Sequence, residues 1–552
     1  MLDLELLKKQ PFNLDKNQIE GIKDKLNKMS LKEKVGQLFF LMHNIEITEE
    51  QLIETIQKIQ PGGIMLRPVT KNLAKEVIEI INSNSKIKPF ISANLENGVN
   101  GILSEGESFG SAMQISATND LNLSYEASHY IGLESFKLGL NMTFSPVVDL
   151  NINYLNPITG TRAFGDNTSR VKSFSKQFCK GLEDGGVIPV IKHFPGDGKD
   201  DRDHHVLPSV NDMTLEKWNE TYGSIYKELI DSGVPCIMAG HILLPCFERS
   251  IDKSIEDKDL RPATLSKHLL KDLLRKELKF NGLIITDATL MGGFNSFATR
   301  KETLIQCVNA GCDMILFTKD LKEDFSAILE GVLSGAISEE RLNEAVLRIL
   351  GIKEYYNNLK KISNGEIKDY KDLSTEIFDK SITLVKNNEN ILPILPEKYE
   401  KVLFIHLGNE TKSKAIFSEE LEKSGFKVTV LDNNKLDLEL IIGSIEKFKN
   451  KYDIVIYGVD YQTKSNQTSN RIEWGMPFAQ FMPWFVKEIP VVIISLGNPF
   501  HLCDAPRIPT YINAYSNQKA NIELVVKKLI GKSEFKGISP IDPFCGRFDT
   551  RC

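Results

Sequence analysis

Eight short, unbroken apolar runs, with helical patterns between nearly all of them, limit what this chain can fold into. They are VGQLFFLM (35–42), GGIMLR (62–67), FISANL (90–95), MTFSPVVDL (142–150), VIPVIKHF (187–194), PCIMAGHI (235–242), GLIITDA (282–288) and DMILFT (313–318). A strand with one wet face alternates apolar and polar residues. These runs are continuous, as in strands buried on both faces. Stretches such as LSYEASHYIGLESFKLG, TSRVKSFSKQFCKGLEDG and LSKHLLKDLLRKELKF lie between them, the last opening on the turn-like PATLS. Eight β-then-α units predict an α/β fold led by a (β/α)8 TIM-like barrel.

The chain turns polar at EYYNNLKKISNGEIKDYKDLST, which reads as a linker over 356–375. A second set of apolar strands follows: VLFIHLG, KVTVLD, DIVIYGV, PVVIISLG and TYINAY. Five such strands with helices between them predict an open, mostly parallel sheet. The expected organisation is a catalytic barrel over 1–355 and a smaller α/β sandwich domain over 376–552. No GxGxxG or GxxxxGK[ST] motif occurs, so nucleotide binding has no motif support.

Composition narrows the function classes. The 552 residues carry a net charge of −6 without a long basic stripe, so neither nucleic acid nor an acidic membrane is an expected partner. No apolar run approaches the ~18 residues of a membrane span. The opening MLDLELLKKQ has acids inside its apolar stretch, unlike a signal peptide. Eight scattered cysteines with no CxxC pair point to reduced thiols and a cytoplasmic protein.

Barrel enzymes gather reactive groups at the C-terminal ends of their strands. Here those ends hold Asn94 and Glu96, Asp149, Lys192 and His193, His241, and Asp287. Any one of the groups Glu96, Asp149 or His241 reads equally as a structural hydrogen bond; five strands ending alike read as a site. The segment KHFPGDGKDDRDHH (192–205) carries the most information. Its glycines allow a loop to fold over a pocket. Asp203 and His205 are two apart, on one side of an extended segment, so the carboxylate can fix the tautomer of the ring and make it a general acid/base. Composition alone leaves a solvated charged loop open. Asp200, Asp201, Asp203, His204 and His205 also leave a metal site open, though without a standard ligand spacing.

This segment resembles the KHFPG-x-G-x4-D-x-H signature of glycoside hydrolase family 3, in its β-N-acetylglucosaminidase branch. SPVVDLNINYLNPITGTRAFGD, MAGHILLP, PATLSKHLLKDLLRKELKFNGLIITDATLMGG and SITLVKNNENILP match in the same order. The resemblance implies that Asp287 is the nucleophile, His205 the acid/base and Asp203 its partner. It implies that Arg162, Lys192 and His193 bind the terminal sugar, with Asn94, Glu96, Asp149 and His241 as further candidates from the strand ends. It implies a small GlcNAc-containing saccharide as substrate, retention of configuration, and no metal or organic cofactor. A phosphorylase of the same glycosides is the alternative, since a histidine acid/base does not repel an anionic acceptor as a carboxylate does. A family 3 glycosidase with another sugar preference is a further one.

Two departures bear on specificity. The branch usually carries D-x-E-G-G-x-V-x-R after the third strand; Asn94 and Ile102 replace the Asp and the Arg. Asn94 still hydrogen-bonds a hydroxyl as a neutral group. Asp197 stands where the branch often has His or Asn, and is expected to be a solvated charge.

Overall fold

The computed structural model describes residues 3–359, 369–408 and 411–552. Residues 360–368 of the expected linker, and Asn409 after the first strand of the second set, lie outside the described residues. The chain divides into two compact units. One comprises Met1–Ser108, Ser124–Asn153 and Thr168–Lys368; the other comprises Phe109–Leu123, Tyr154–Asn167 and Asp369–Cys552.

The first unit is built on eight parallel strands: β1 (Phe39–Met42), β2 (Gly63–Met65), β3 (Phe90–Ala93), β4 (Met142–Thr143), β5 (Ile188–Phe194), β6 (Cys236–Ala239), β7 (Leu283–Thr286) and β8 (Ile315–Leu316). Successive strands are neighbours, and β8 pairs back onto β1. A parallel bridge between Ile285 and Met314 joins the β7 and β8 segments. This is the expected barrel, and its inside is filled. The Phe40 ring meets Phe144 edge-on at 5.1 Å and lies 6.4 Å from the parallel ring of Phe90. A Cβ on Gly63 would come within 2.4 Å of the Phe40 ring, so β2 opens on the one residue that leaves room for it.

The strands are shorter than their apolar runs, and for two of them a local cause is visible. Residues Leu31–Gln37 are helical, so β1 starts only at Phe39. Ser30 and Glu33 form a reciprocal capping box, worth about 1 kcal/mol, which starts a helix that runs on into the apolar stretch. β4 stops at Thr143, ahead of Pro146, which has no N–H to give to a ladder.

The second unit carries a six-stranded sheet: β9 (Thr383–Asn387), β10 (Lys401–Gly408), β11 (Lys427–Val430), β12 (Ile454–Asp460), β13 (Val491–Ser495) and β14 (Thr510–Asn513), in the order β9-β14-β13-β12-β10-β11. The five expected strands are all present and parallel. The sixth, β9, is antiparallel to β14 at the edge and was not expected as a strand. Its mixed sequence TLVKN is half-buried and lacks the continuous apolar pattern of the others. Polar groups near the strand ends bond within this unit. His406 Nε2 lies 3.0 Å from Ser413 Oγ, Asn498 donates to Asn470 O, and His501 Nδ1 lies 3.4 Å from Asp504. Among the described residues no helix is long and apolar enough to cross a membrane.

Candidate active site

The site is assembled at the C-terminal ends of β3, β5 and β7 and the loop that follows β5. β5 is buried along its whole length, so its last polar residues are carried into the barrel mouth without solvent. Lys192 Nζ sits 2.6 Å from Glu96 Oε1, beyond β3. His193 Nδ1 lies 2.7 Å from Asp149 Oδ2, and the backbone N–H groups of His193 and Asp197 donate to Asp149 Oδ1 at 3.2 and 2.8 Å. Burial disfavours the charge of both partners. The His193 ring and the two N–H groups nevertheless hold Asp149 below its ordinary value, while burial lowers the His193 ring below its own. Asp149 therefore fixes the His193 tautomer, with Nδ1–H donating and Nε2 turned towards Asp287 Oδ2 at 3.8 Å.

The loop after β5 turns sharply at Gly196, whose φ of 121° suits glycine. A Cβ there would also lie 2.1 Å from the Tyr222 ring. Trp218 Nε1 donates to Pro195 O at 2.8 Å, Asn211 Nδ2 to Gly196 O at 3.1 Å, and the Tyr222 hydroxyl to Asp197 O. These bonds turn Asp197 inward. Its side chain is buried and its Oδ2 lies 2.5 Å from His204 Nδ1, which overturns the expectation of a solvated charge.

Asp203 and His205 come together through a turn rather than an extended segment. Asp203 Oδ1 accepts from His205 N at 2.9 Å and faces His205 Nδ1 at 2.6 Å, while Asp203 O accepts from Val206 N at 2.9 Å. Burial resists the Asp203 charge, but its bonds to His205 bring it down to about 2. The His205 side chain keeps 18% of its surface exposed, with Nε2 as the nitrogen left for a substrate.

Asp287 follows β7, anchored by its N–H to Ala239 O at 2.8 Å. Its Oδ1 accepts from Ala288 N at 2.7 Å and its Oδ2 lies 3.0 Å from His204 Nε2. Burial opposes its charge; the rings of His204, His193 and His205 outweigh this and hold it well below the usual carboxylate range. An ionised, nearly dry carboxylate at the barrel mouth, beside an imidazole–carboxylate pair, can attack an electrophilic carbon while the ring manages a proton.

Other candidates are placed elsewhere. Both ring nitrogens of His241 are taken up inside the protein, Nδ1 by Thr264 Oγ1 at 3.0 Å and Nε2 by Ala288 O at 3.1 Å. Asn94 is exposed at the end of β3, and Ile102 is buried. Arg162 belongs to the second unit, where Nη1 donates to Ile158 O at 3.4 Å. Among the described residues, His193, His204 and Asp287 bring one ligand atom each within 4.8 Å of one another, close enough to hold a metal ion. The two carboxylates around His204 are met equally well by a second proton on its ring. The Asp197–His204–Asp287 line was missed from the sequence. Its only local signals were an acid between two glycines and a doubled histidine.

The loop is seated on the segment after the nucleophile candidate. Gly292 N donates to His205 O at 3.0 Å, and a Cβ on Gly292 would meet Val206 O at 2.0 Å. The atom it meets is backbone, not the end of a flexible side chain, so Gly292→Ala must displace the turn that carries His205. A shift of ~1 Å at a catalytic group costs up to about 100-fold, so kcat/KM on poor leaving groups should fall by ~10- to 100-fold. Steady-state kinetics test this, and unchanged kcat/KM would show that the turn does not position His205.

Comparison with known proteins places the chain in a family. Residues 30–352 match the Glycosyl hydrolase family 3 N terminal domain. The chain is 37% identical over 557 residues to a β-N-acetylglucosaminidase/β-glucosidase of Cellulomonas fimi, covering 98% of each. Among solved structures it resembles a β-glucoside phosphorylase bound to 2FGlc, with a TM-score of 0.92, 35% identity and coverage of 98% of this chain and 100% of the other. It also resembles a family 3 β-N-acetylglucosaminidase from Paenibacillus sp., with a TM-score of 0.76, 25% identity and coverage of 94% and 100%. A chain that matches over its whole length, with the shared barrel and its ionised strand-end groups, belongs to glycoside hydrolase family 3.

Proposed function

We propose that this protein is a retaining, exo-acting β-N-acetylglucosaminidase that releases terminal GlcNAc from small cytoplasmic saccharides, such as those of cell-wall recycling. The observation that carries the reading is the pairing of a buried, ionised Asp287 with a His205–Asp203 dyad on a loop seated next to it. Asp287 attacks the anomeric carbon. His205 protonates the departing oxygen and then takes a proton from the acceptor, so that two inversions give retention. Asp203 orients the ring and stabilises its charged form. Lys192 and His193 bind sugar hydroxyls, with Glu96 and Asp149 fixing them from behind.

A second reading is phosphorolysis, with glucosides accepted beside GlcNAc. It is favoured by the full-length likeness to a β-glucoside phosphorylase and by an acid/base that carries no negative charge of its own towards an anionic acceptor. Turnover of 4-nitrophenyl β-N-acetylglucosaminide and of the β-glucoside, each with and without phosphate, separates the readings. GlcNAc release independent of phosphate supports the hydrolase. Phosphate-driven release with a sugar 1-phosphate product replaces it by the phosphorylase. Cleavage of the glucoside alone overturns the GlcNAc assignment.

A further inference from the structure

We propose that His204 is a positioning residue that holds a proton fixed between Asp197 and Asp287, and that it favours the step in which Asp287 is the leaving group. The inference rests on Asp287 being the nucleophile.

The His204 side chain is fully buried and faces a carboxylate at each nitrogen, Asp197 Oδ2 at 2.5 Å from Nδ1 and Asp287 Oδ2 at 3.0 Å from Nε2. A neutral imidazole donates at one nitrogen and presents a lone pair at the other. Here that lone pair would point at a carboxylate oxygen in a dry site. The doubly protonated ring satisfies both contacts. Burial disfavours that charge, yet Asp197 and Asp287 raise the ring to about 10. The other titratable groups around it are Asp203 and three rings: His193 and His205, each 4.9 Å away between centroids, and His241 at 6.5 Å. Burial lowers His193 below its ordinary value and pushes His241 down to about 4. His205 stacks on His204 with 16° between planes while bonding Asp203. One turn thus presents two adjacent histidines to different carboxylates, His205 to Asp203 and His204 to Asp197 and Asp287.

The consequence differs between the two chemical steps. In the first, an Asp287 oxygen bonds to the anomeric carbon, the bond to the aglycone oxygen breaks, and that oxygen takes the proton of His205. The carboxylate becomes a neutral ester, and the His204 cation loses a partner. In the second, an acceptor oxygen bonds to the anomeric carbon and gives its proton to His205. The ester bond breaks, and its electron pair returns to the Asp287 carboxylate, 3.0 Å from a fixed cation. A charge already in place stabilises the carboxylate as it forms and resists its loss. His204 therefore shifts the balance towards breakdown of the glycosyl-enzyme.

His204→Gln removes the charge and keeps one donor. Asp197→Asn, as a second variant, removes the carboxylate that shares the proton. Both are assayed on 2,4-dinitrophenyl glycosides, whose departure needs no proton, with the dinitrophenolate burst followed by stopped flow. The expected result is a kcat lowered about tenfold or more, a KM lowered with it, an unchanged or higher kcat/KM, and a burst equal to the enzyme concentration. An unaltered kcat in both variants would overturn the proposal, as would parallel loss of kcat and kcat/KM without a burst. Failure of the underlying reading shows separately, as an Asp287→Asn enzyme that still turns over.

Discussion

Asp287→Asn should lose at least ~1,000-fold in kcat on every glycoside, good and poor leaving groups alike. The carboxamide has nearly the shape of the carboxylate, and it cannot form the ester that the retaining mechanism requires. The anchor that places the residue is its backbone N–H to Ala239 O, which the substitution leaves intact. His204 also keeps its contact with Asp197. The circular dichroism spectrum should therefore be that of the wild type. Initial rates on the fastest aryl glycoside check the prediction. A variant within tenfold of the wild type would remove Asp287 from the chemistry.

His205→Ala should divide substrates by their leaving group. Sugar and alkyl aglycones need a proton as they depart, and loss of a positioned general acid costs ~100- to 10,000-fold. A dinitrophenolate leaves without one, so its first-step rate should hardly change. The split is measured as kcat/KM on the two substrate types. Equal loss on both would mean that His205 contributes structure rather than a proton. Asp203→Asn should follow the same pattern with a smaller loss. The ring stays, while the carboxylate that fixes its tautomer at 2.6 Å is gone.

Much of this was legible because burial on both faces writes itself into a strand as a continuous apolar run. All eight barrel strands announce themselves that way, and of the polar groups at their ends Glu96, Asp149, Lys192, His193 and Asp287 come together, while Asn94 is exposed and both His241 nitrogens bond elsewhere. What was not legible has physical causes of two kinds. Local chemistry overrode the apolar pattern at Val35–Gln37, taken up by the helix that the Ser30–Glu33 capping box starts, and at Pro146, where a ladder donor is missing. The fold itself supplied the rest. Asp197 reads as a surface acid until Gly196, Trp218, Tyr222 and Asn211 are seen to turn it inward. His204 reads as a neighbour of the acid/base until β7 brings Asp287 to its other nitrogen, 83 residues later in sequence. Asp203 and His205 were paired correctly from their spacing, although a turn, not an extended strand, brings them together. The segment Tyr154–Asn167, with Arg162 in it, belongs to the second unit, and no composition break in the sequence marks it off.

The central claim is that a covalent glycosyl-enzyme forms on Asp287. The most direct measurement is to incubate the protein with a 5-fluoro glycosyl fluoride of the sugar it turns over fastest, then digest it and locate the adduct by mass spectrometry. The account predicts one added sugar per chain, on Asp287 within the peptide carrying IITDATLM. Stoichiometric labelling at another side chain, or full turnover with no trapped ester, would contradict it.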